Sequence, residues 1–541
     1  MSHPYYISTP IYYVNAKPHL GHCYSTVLAD VAARFQRLAR GGSMAKGGHP
    51  DVFFLTGTDE HADKVVTAGA AKGVGPQEWC DRHAAEFEKA FAALDCSHDD
   101  FIRTTQDRHK SRVAEYIRRL QASGDIYLGD YTGWYDPGQE EYVTETAAKE
   151  ANFLSPVSGQ PLVKRTERNY FLRLSAYQDR LIAHLQLHPE SVLPEARRNE
   201  VLGRLRQPLQ DVPVSRAVGD DPASRWGILM PDDPTHRIYV WIDALFNYLS
   251  AIDTPERRRF WPVQVHLIAK DILWFHAVIW PAMLMALKEP LPRTLYAHSW
   301  WVMGERKMSK SLGNFVSIED LTAYAERFGV DAVRWFLATQ GPLGATDSEW
   351  SYSKFVEVYN ADLANGIGNS TSRVGNMIGK YFEGVLPSVA PDEVRPLQGA
   401  CEEIVRGAIA AIERFDIGEA CRAGVKIVTA VDGYINQTEP FRLAKRIDEA
   451  GVREQLAAIL FDCAEALRIA TVLMAPAMPT KMAELWRNWN CAPRAGATLA
   501  DLCAWGGLRP GTKIAKGEPL FMRADGTLPE PNQPASGPPA A

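Results

Sequence analysis

Two short stretches carry side chains whose types and spacing could handle phosphate. His19, Leu20, Gly21 and His22 (HLGH) set two imidazoles around a glycine, and Lys307, Met308, Ser309, Lys310 and Ser311 (KMSKS) set two lysines three residues apart. Imidazoles at the start of a helix can donate to phosphate oxygens, beside the unpaired N–H groups and the positive dipole end found there. A glycine between them lets a ligand approach the backbone. Lysines on a loop stabilise a polyanion best where its negative charge grows in a transition state. Taken singly, each stretch has a plainer reading: an H-x-x-H is usually a helix cap, and a lysine pair a solvated basic loop.

The elements around these stretches follow from periodicity. Residues 5–13 (YYISTPIYY) are aromatic and β-branched, as a buried strand is, and after Cys23 the apolar Val27, Val31, Phe35 and Leu38 recur at helical spacing. HLGH therefore stands where a strand becomes a helix. DVFFL at 51–55 runs into TGTDEH and puts Asp59 and His61 just past a second strand. VHLIAKDILWFHAVIW (265–280) reads as a strand, a polar turn and a helix, and TLYAHSWWVMGERKMSKSLGN (294–314) as a strand followed by the lysine-bearing loop. In an open parallel sheet the carboxyl ends of the strands face one crevice. HLGH, TGTDEH, AKDI and GERKMSKS are expected to meet there.

Composition bounds the rest. A chain of 541 residues is too long for one core, and 46% hydrophobic with 23% charged residues is ordinary for a folded protein. A net charge of −6 excludes a generally basic nucleic-acid coat but allows a local basic groove. The eight cysteines form no C-x-x-C pair, so neither a disulfide framework nor a zinc knuckle is indicated, and a reducing cytoplasm is expected. The longest nearly apolar run, Leu273 to Leu287, contains His276 and Pro281 and is too short for a bilayer. Residues 125–165 are turn-rich and aromatic and suggest an inserted β-ribbon, whereas 352–488 have almost purely helical periodicity.

The leader TPIYYVNAKPHLGH, then FFLTGTDEH, YVWIDALFNY, KDILWFHAVIWPAML and GERKMSKSLGN resemble, in order and over roughly residues 4–350, the methionyl-tRNA synthetase family of the class I aminoacyl-tRNA synthetases. The resemblance implies an α/β fold: a Rossmann-type doubly wound parallel sheet with an inserted connective domain and a C-terminal all-α helical bundle. The expected division is a catalytic domain in two halves (1–120 and 236–292) around the connective insertion (121–235). A KMSKS and stem-contact region (293–351), an anticodon-binding bundle (352–523) and a disordered tail (524–541) follow.

The activity implied is ATP-dependent activation of L-methionine to methionyl-adenylate and its transfer to initiator and elongator tRNA(Met), with Mg²⁺ accompanying ATP. His19, His22, Lys307 and Lys310 would be catalytic, and Gly21, Asp271 and Ser309 would join them in binding ATP. Methionine would lie among Ile11, Tyr13, Trp241, Ala244, Tyr248, Phe275 and His276, with Asp59 facing its ammonium. A thioether packs well against aromatic rings, and a polar tip from Tyr13 or His276 could mark the sulfur. Asn369 and Arg373, one turn apart, with Phe441 where the family usually has tryptophan, would read the anticodon.

Two departures stand out. Where relatives carry zinc-knuckle ligands this chain has Asp136, Gln139, Ser155 and Ser158, so no structural zinc is expected. The turn GGSMAKGGHPD (41–51) is several residues longer than usual and is expected to be an exposed, mobile loop at the amino-terminal edge of the sheet. The chain lacks the appended tRNA-binding domain that some relatives use to dimerise, and a monomer is expected. Two other function classes fit parts of the pattern: an HxGH-type nucleotidyltransferase, which would not need the helical bundle, and a non-catalytic tRNA-binding relative, which should have lost a signature histidine or lysine.

Overall fold

Strand β1 (Tyr5–Tyr13) is the middle of a six-stranded parallel sheet, and its composition explains the place. A strand covered by helices on both faces reads as a continuous apolar run, and its few polar side chains must pair inside the sheet. The Ser8 hydroxyl meets His266 Nδ1 at 2.7 Å and the Thr9 hydroxyl meets that of Thr56 at 2.7 Å. The computed structural model describes residues 3–138, 141–143, 145–155, 158–304, 306–308, 315–389, 395–525 and 530.

After β1 come helix α1 (Leu20–Ala39), β2 (Val52–Asp59), β3 (Asp100–Arg103), β4 (Val192–Leu193), β5 (Val265–Ala269) and β6 (Thr294–His298). The sheet order is β3-β2-β1-β5-β6-β4. Strand order reverses at the β1/β5 boundary, the place where such sheets hold ligands. The register between β1 and β2 shifts between Ser8 and Ile11, around Pro10, which has no N–H to give the ladder; beyond the shift Tyr13 pairs with Asp59. All eight residues of β2 are buried, and Gly57 is there because a side chain would collide with β3: a Cβ would lie 1.9 Å from the Ile102 carbonyl oxygen.

Between β3 and β5 the chain builds a separate antiparallel ribbon, in which Ile126–Asp136 pairs with Val163–Leu172, flanked by Glu141–Val143 and Val212–Pro213. The span expected to be inserted also returns β4 to the edge of the central sheet, where Leu193 pairs with Tyr296. From Tyr352 onward the structure is helical, with Ile417–Thr438 and Val452–Met474 the longest helices of that region.

Two expectations are corrected. The turn at 41–51 does sit at the amino-terminal edge, where Tyr5 N–H donates to the Asp51 carbonyl, and Lys46 is exposed. It is not a loose loop: Ser43 N–H bonds the Gly48 carbonyl, Gly47 N–H bonds Asp99, and Met44 packs on the core. Ala524, read as the first residue of a disordered tail, is anchored by a reciprocal pair of hydrogen bonds with the Asn360 amide at 2.8 and 3.0 Å.

The sheet and the helical region are joined through one buried guanidinium. Arg334, on helix Val330–Gln340, donates to the Ala477, Leu94, Asp95 and Pro476 carbonyls and to Asp30 Oδ2 at 2.7 Å. Asp30, midway along α1, also takes Arg34 Nε and both donors of Ser97. Burial would raise its carboxyl pKa, but the two guanidiniums and Ser97 hold it well below the usual range. Removing one partner of such a pair leaves a buried charge, so Arg334→Leu should cost about 3–5 kcal/mol. The expected readout is a lower urea midpoint for the transition that reports both regions; an unchanged midpoint would mean that the pair is not a joint.

Candidate active site

HLGH is the N-terminal turn of α1, and the residue types explain the turn. His19 is the N-cap: Gly21 N–H donates to His19 Nδ1 at 3.0 Å, and His19 N–H donates to His22 Nδ1 at 3.3 Å. The two rings thereby close a reciprocal capping box, which Ser or Asp with Glu more often supply. Because each Nδ1 accepts a backbone N–H, the proton of each neutral ring resides on Nε2, as a donor. Gly21 permits the fold-over, since a Cβ there would lie 3.0 Å from the His19 ring.

The lysine loop returns to the same turn. Trp301–Met303 pairs with Arg306–Lys307 as a hairpin, with Val302 opposite Lys307. On the far side Leu20 N–H donates to the Val316 carbonyl at 3.1 Å, and Ser317 bridges to His19. Ser309, Lys310, Ser311 and the Lys307 side chain lie outside the described residues. Met308, Phe315 and Val316, on either side of them, border a cavity of about 540 Å³ that His19, Gly21 and His22 also line.

Ile11, Tyr13, Asp59, Trp241, Ala244, Tyr248, Asp271 and His276 line that cavity too. Ile11 and Tyr13 are two apart on β1 and share a face. Phe275 does not line it and is corrected to a backing role, stacked on Trp241 at 4.2 Å and 11°, while Tyr13 meets Trp241 edge-on at 6.0 Å. Phe275–Ile279 form a π-helical turn, which breaks the α-helical phase by which the sequence assigns faces.

Buried His276 is neutral, its pKa pushed down to about 4. It donates from Nδ1 to the Ile272 carbonyl and accepts the Tyr248 hydroxyl proton at Nε2, at 2.8 Å. Neither imidazole nitrogen is left over in the closed pair.

TGTDEH divides its consecutive side chains among three directions. Glu60, wholly buried, takes Arg103 on both carboxylate oxygens, at 2.7 and 3.0 Å. His61 turns to Asp243 at 2.6 Å. Asp59 turns to the cavity, its Oδ1 buried with no hydrogen-bond partner, and burial first, with the Asp243 charge after it, pushes its carboxyl pKa well up.

At the other end, Asp271 accepts from Trp300 Nε1 at 3.4 Å, and Lys270 covers the Trp300 ring at 4.2 Å. His298, lowered by burial to about 4, accepts the Ser25 hydroxyl at 2.8 Å. Asn247, Ile272, Ser25 and His298 border the cavity although the motif comparison passed over them. Their signal lay only in position, on elements already placed at the crevice.

In the ribbon, Asp136 Oδ1 accepts the Gly138 N–H at 2.8 Å and Ser155 Oγ the Ser158 N–H at 3.0 Å; Trp134 packs on Phe153 at 4.5 Å. Gln139 lies outside the described residues. Among the described residues no group of three or more His, Cys, Asp or Glu could hold a metal ion. In the helical region Asn369 is exposed, Arg373 faces Asp432 at 3.7 Å, and Phe441 is 45% exposed and so is not a core ring.

The family model for class I tRNA synthetases (M) matches residues 5–151 and 148–375. Methionine–tRNA ligase of Streptomyces coelicolor is 41% identical over 96% of this chain and 97% of its own, and that of Bacillus subtilis 38% over 96% and 78%. A crystal structure of Mycobacterium tuberculosis methionyl-tRNA synthetase bound by methionyl-adenylate superposes with a TM-score of 0.85 at 35% identity, covering 96% of this chain and all of that one.

The hydrogen-bonded knuckle at 136–158 has no soft ligand to lose. Elemental analysis should find less than stoichiometric zinc, and prolonged chelation should leave the unfolding midpoint unchanged. One tightly held zinc per chain would contradict this.

Proposed function

Because the chain belongs to the methionyl-tRNA synthetase family of class I, we propose that its cavity divides that family's reaction among the residues found there. The protein is a ligase that activates methionine with ATP and charges tRNA. The observation that carries the residue assignment is the cavity itself: the HLGH turn, both flanks of the KMSKS loop and the aromatic end open onto one space.

In the first step the methionine carboxylate attacks the α-phosphorus of ATP, forming the mixed anhydride as the bond to pyrophosphate breaks. No protein nucleophile takes part. His19 and His22 offer Nε2–H donors beside the amino end of α1, favouring the charge that builds on the phosphate oxygens. Lys307 and Lys310, with Ser309, neutralise the departing pyrophosphate. Asp271 meets the ribose hydroxyls, and Gly21 leaves room for the nucleotide. In the second step a ribose hydroxyl of the terminal adenosine attacks the activated carbonyl and AMP leaves.

Tyr13, Trp241 and Ala244 enclose the thioether, Phe275 keeps Trp241 upright, and Asp59 takes the α-ammonium. With the His276–Tyr248 pair closed, polarizable ring faces supply most of the side-chain recognition. Mg²⁺ accompanying ATP would supply charge neutralisation on its phosphates.

The reading extends to a monomer acting in the cytoplasm on initiator and elongator tRNA(Met). No helix among the described residues is long and apolar enough to cross a membrane. Arg373 is steadied by Asp432, which also accepts the Ser370 hydroxyl at 2.8 Å, and the exposed Phe441 ring suits stacking on an unpaired base.

Methionine-dependent ATP–pyrophosphate exchange tests the first step. Lys310→Ala should lower its kcat about a hundredfold or more while the KM for methionine stays within about threefold. An equal loss in methionine binding would place Lys310 in the ground state instead. Phe441→Ala should leave exchange unchanged and raise the KM for tRNA about tenfold, the worth of one stacked base. Unaltered charging would remove Phe441 from the anticodon site.

A further inference from the structure

A run of buried hydrogen bonds leads from outside the cavity to His61, two residues from Asp59. Ser250 Oγ lies 2.7 Å from His109 Nδ1, and His109 Nε2 lies 2.7 Å from Asp243 Oδ1. The other oxygen, Asp243 Oδ2, lies 2.6 Å from His61 Nδ1, and His61 stands two residues after Asp59, which ends strand β2. His109 and Asp243 are at most 1% exposed, and neither lines the cavity. No step assigned above uses them.

The chemistry of the run is directional. A carboxylate only accepts, so both imidazoles must present a proton to Asp243: His61 from Nδ1 and His109 from Nε2. With both oxygens occupied, Asp243 stays ionised although buried: burial raises its pKa, but His61 and His109 win and hold it at about 2. Its fixed charge and position fix the His61 ring, which also rests edge-on against Trp226 at 5.7 Å. His61 is thus gripped at the ring, which fixes the main chain just past the strand end that carries Asp59. Asp59 Oδ1 is buried without a hydrogen-bond partner, and Asp59 lines the cavity.

We propose that His109 is a positioning residue for the amino-acid substrate: acting through Asp243 and His61, it holds Asp59 in the orientation that receives the α-ammonium. The proposal rests on the reading of Asp59 given above. Freed from His109, Asp243 has an oxygen in want of a donor and becomes free to rotate, and the hold on His61 and Asp59 slackens. The effect should fall chiefly on the ammonium, because the Trp241 ring, although on the same helix Val240–Leu245 as Asp243, is held by Phe275 and Tyr13.

The test compares methionine with 4-(methylsulfanyl)butanoate, which keeps the thioether and carboxylate and lacks the amine, as a competitive inhibitor of pyrophosphate exchange. His109→Leu should raise the KM for methionine about tenfold, the worth of a hydrogen bond to a charged group. The inhibition constant of the amine-free analogue and the KM for ATP should stay within about twofold. His109→Gln, whose amide can donate to Asp243 and accept from Ser250, should restore methionine to within about threefold of the parent.

A His109→Leu protein that loses methionine and analogue equally, or neither, overturns the proposal, and so does a Gln variant that behaves like Leu. Asp59→Ala separates the two layers of the argument. If it leaves the preference for methionine over the analogue intact, Asp59 is not the ammonium acceptor and both readings fall. If it abolishes that preference while His109→Leu does not reduce it, only the role of His109 falls. Should His109→Leu not fold, Ser250→Ala serves in its place, with a methionine-specific rise of about threefold expected; no rise overturns the proposal.

Discussion

A guanidinium without water must find a partner for each of its five N–H groups inside the protein, and Arg334 finds them on three separate stretches of chain. That requirement is the constraint on which the assembly rests. One N–H goes to α1, two to the carbonyls that follow helix Pro76–Ala93, and two to the carbonyls after helix Val452–Met474. None of these segments can shift without leaving a buried donor or acceptor open, at a cost of several kcal/mol. Since Asp30 belongs to the helix whose first turn is HLGH, the helical region is indexed directly to the HLGH end of the cavity. A second buried pair does the same within that region: Glu465 takes Arg468 on both oxygens and also the N–H groups of Gly507 and Leu508, pinning the turn after helix Leu499–Cys503.

Around the cavity the same side chain is put to opposite uses by its partners. His19 and His22 accept backbone N–H groups and so keep a proton on the outer nitrogen. His276 and His298 donate inward to carbonyls and are kept neutral by burial. His61 and His109 share one carboxylate. Six imidazoles therefore act as caps, acceptors and clamps within one site. In each case the hydrogen bond on one ring nitrogen decides what the other can do.

Much of this was legible in the sequence where chemistry and periodicity coincide. HLGH, TGTDEH, the segment after β5 and the lysine loop each follow a strand, and a parallel sheet has one place for strand ends to meet. Long-range pairing was not legible. Nothing local in WIDAL says that Asp243 is met by a histidine 134 positions earlier, and Arg334 reads as one more charge on an amphipathic helix until its partners are known. Phe275, expected in the pocket from the family resemblance, stacks behind Trp241, a placement that a motif does not specify. The 41–51 turn was misjudged because its glycines suggested freedom, whereas they allow close backbone contacts within the turn. Ala524 opens a Pro- and Gly-rich composition, and composition cannot show that two hydrogen bonds to Asn360 reach its first residue.

The π turn at Phe275–Ile279 has a consequence of its own. Such a turn holds one residue more than an α-helical path needs, and each residue of an α-helix advances the direction of the next by about 100°. The segment works like a gear with an added tooth: Ile272 meshes with the cavity before it, His276 within it, and Trp280 with His266 after it. Deleting one residue of the turn would leave the flanking residues unchanged and still turn the following helix out of mesh. The length of this stretch, as much as its letters, therefore sets the pocket, and a deletion between Leu273 and Pro281 would change it.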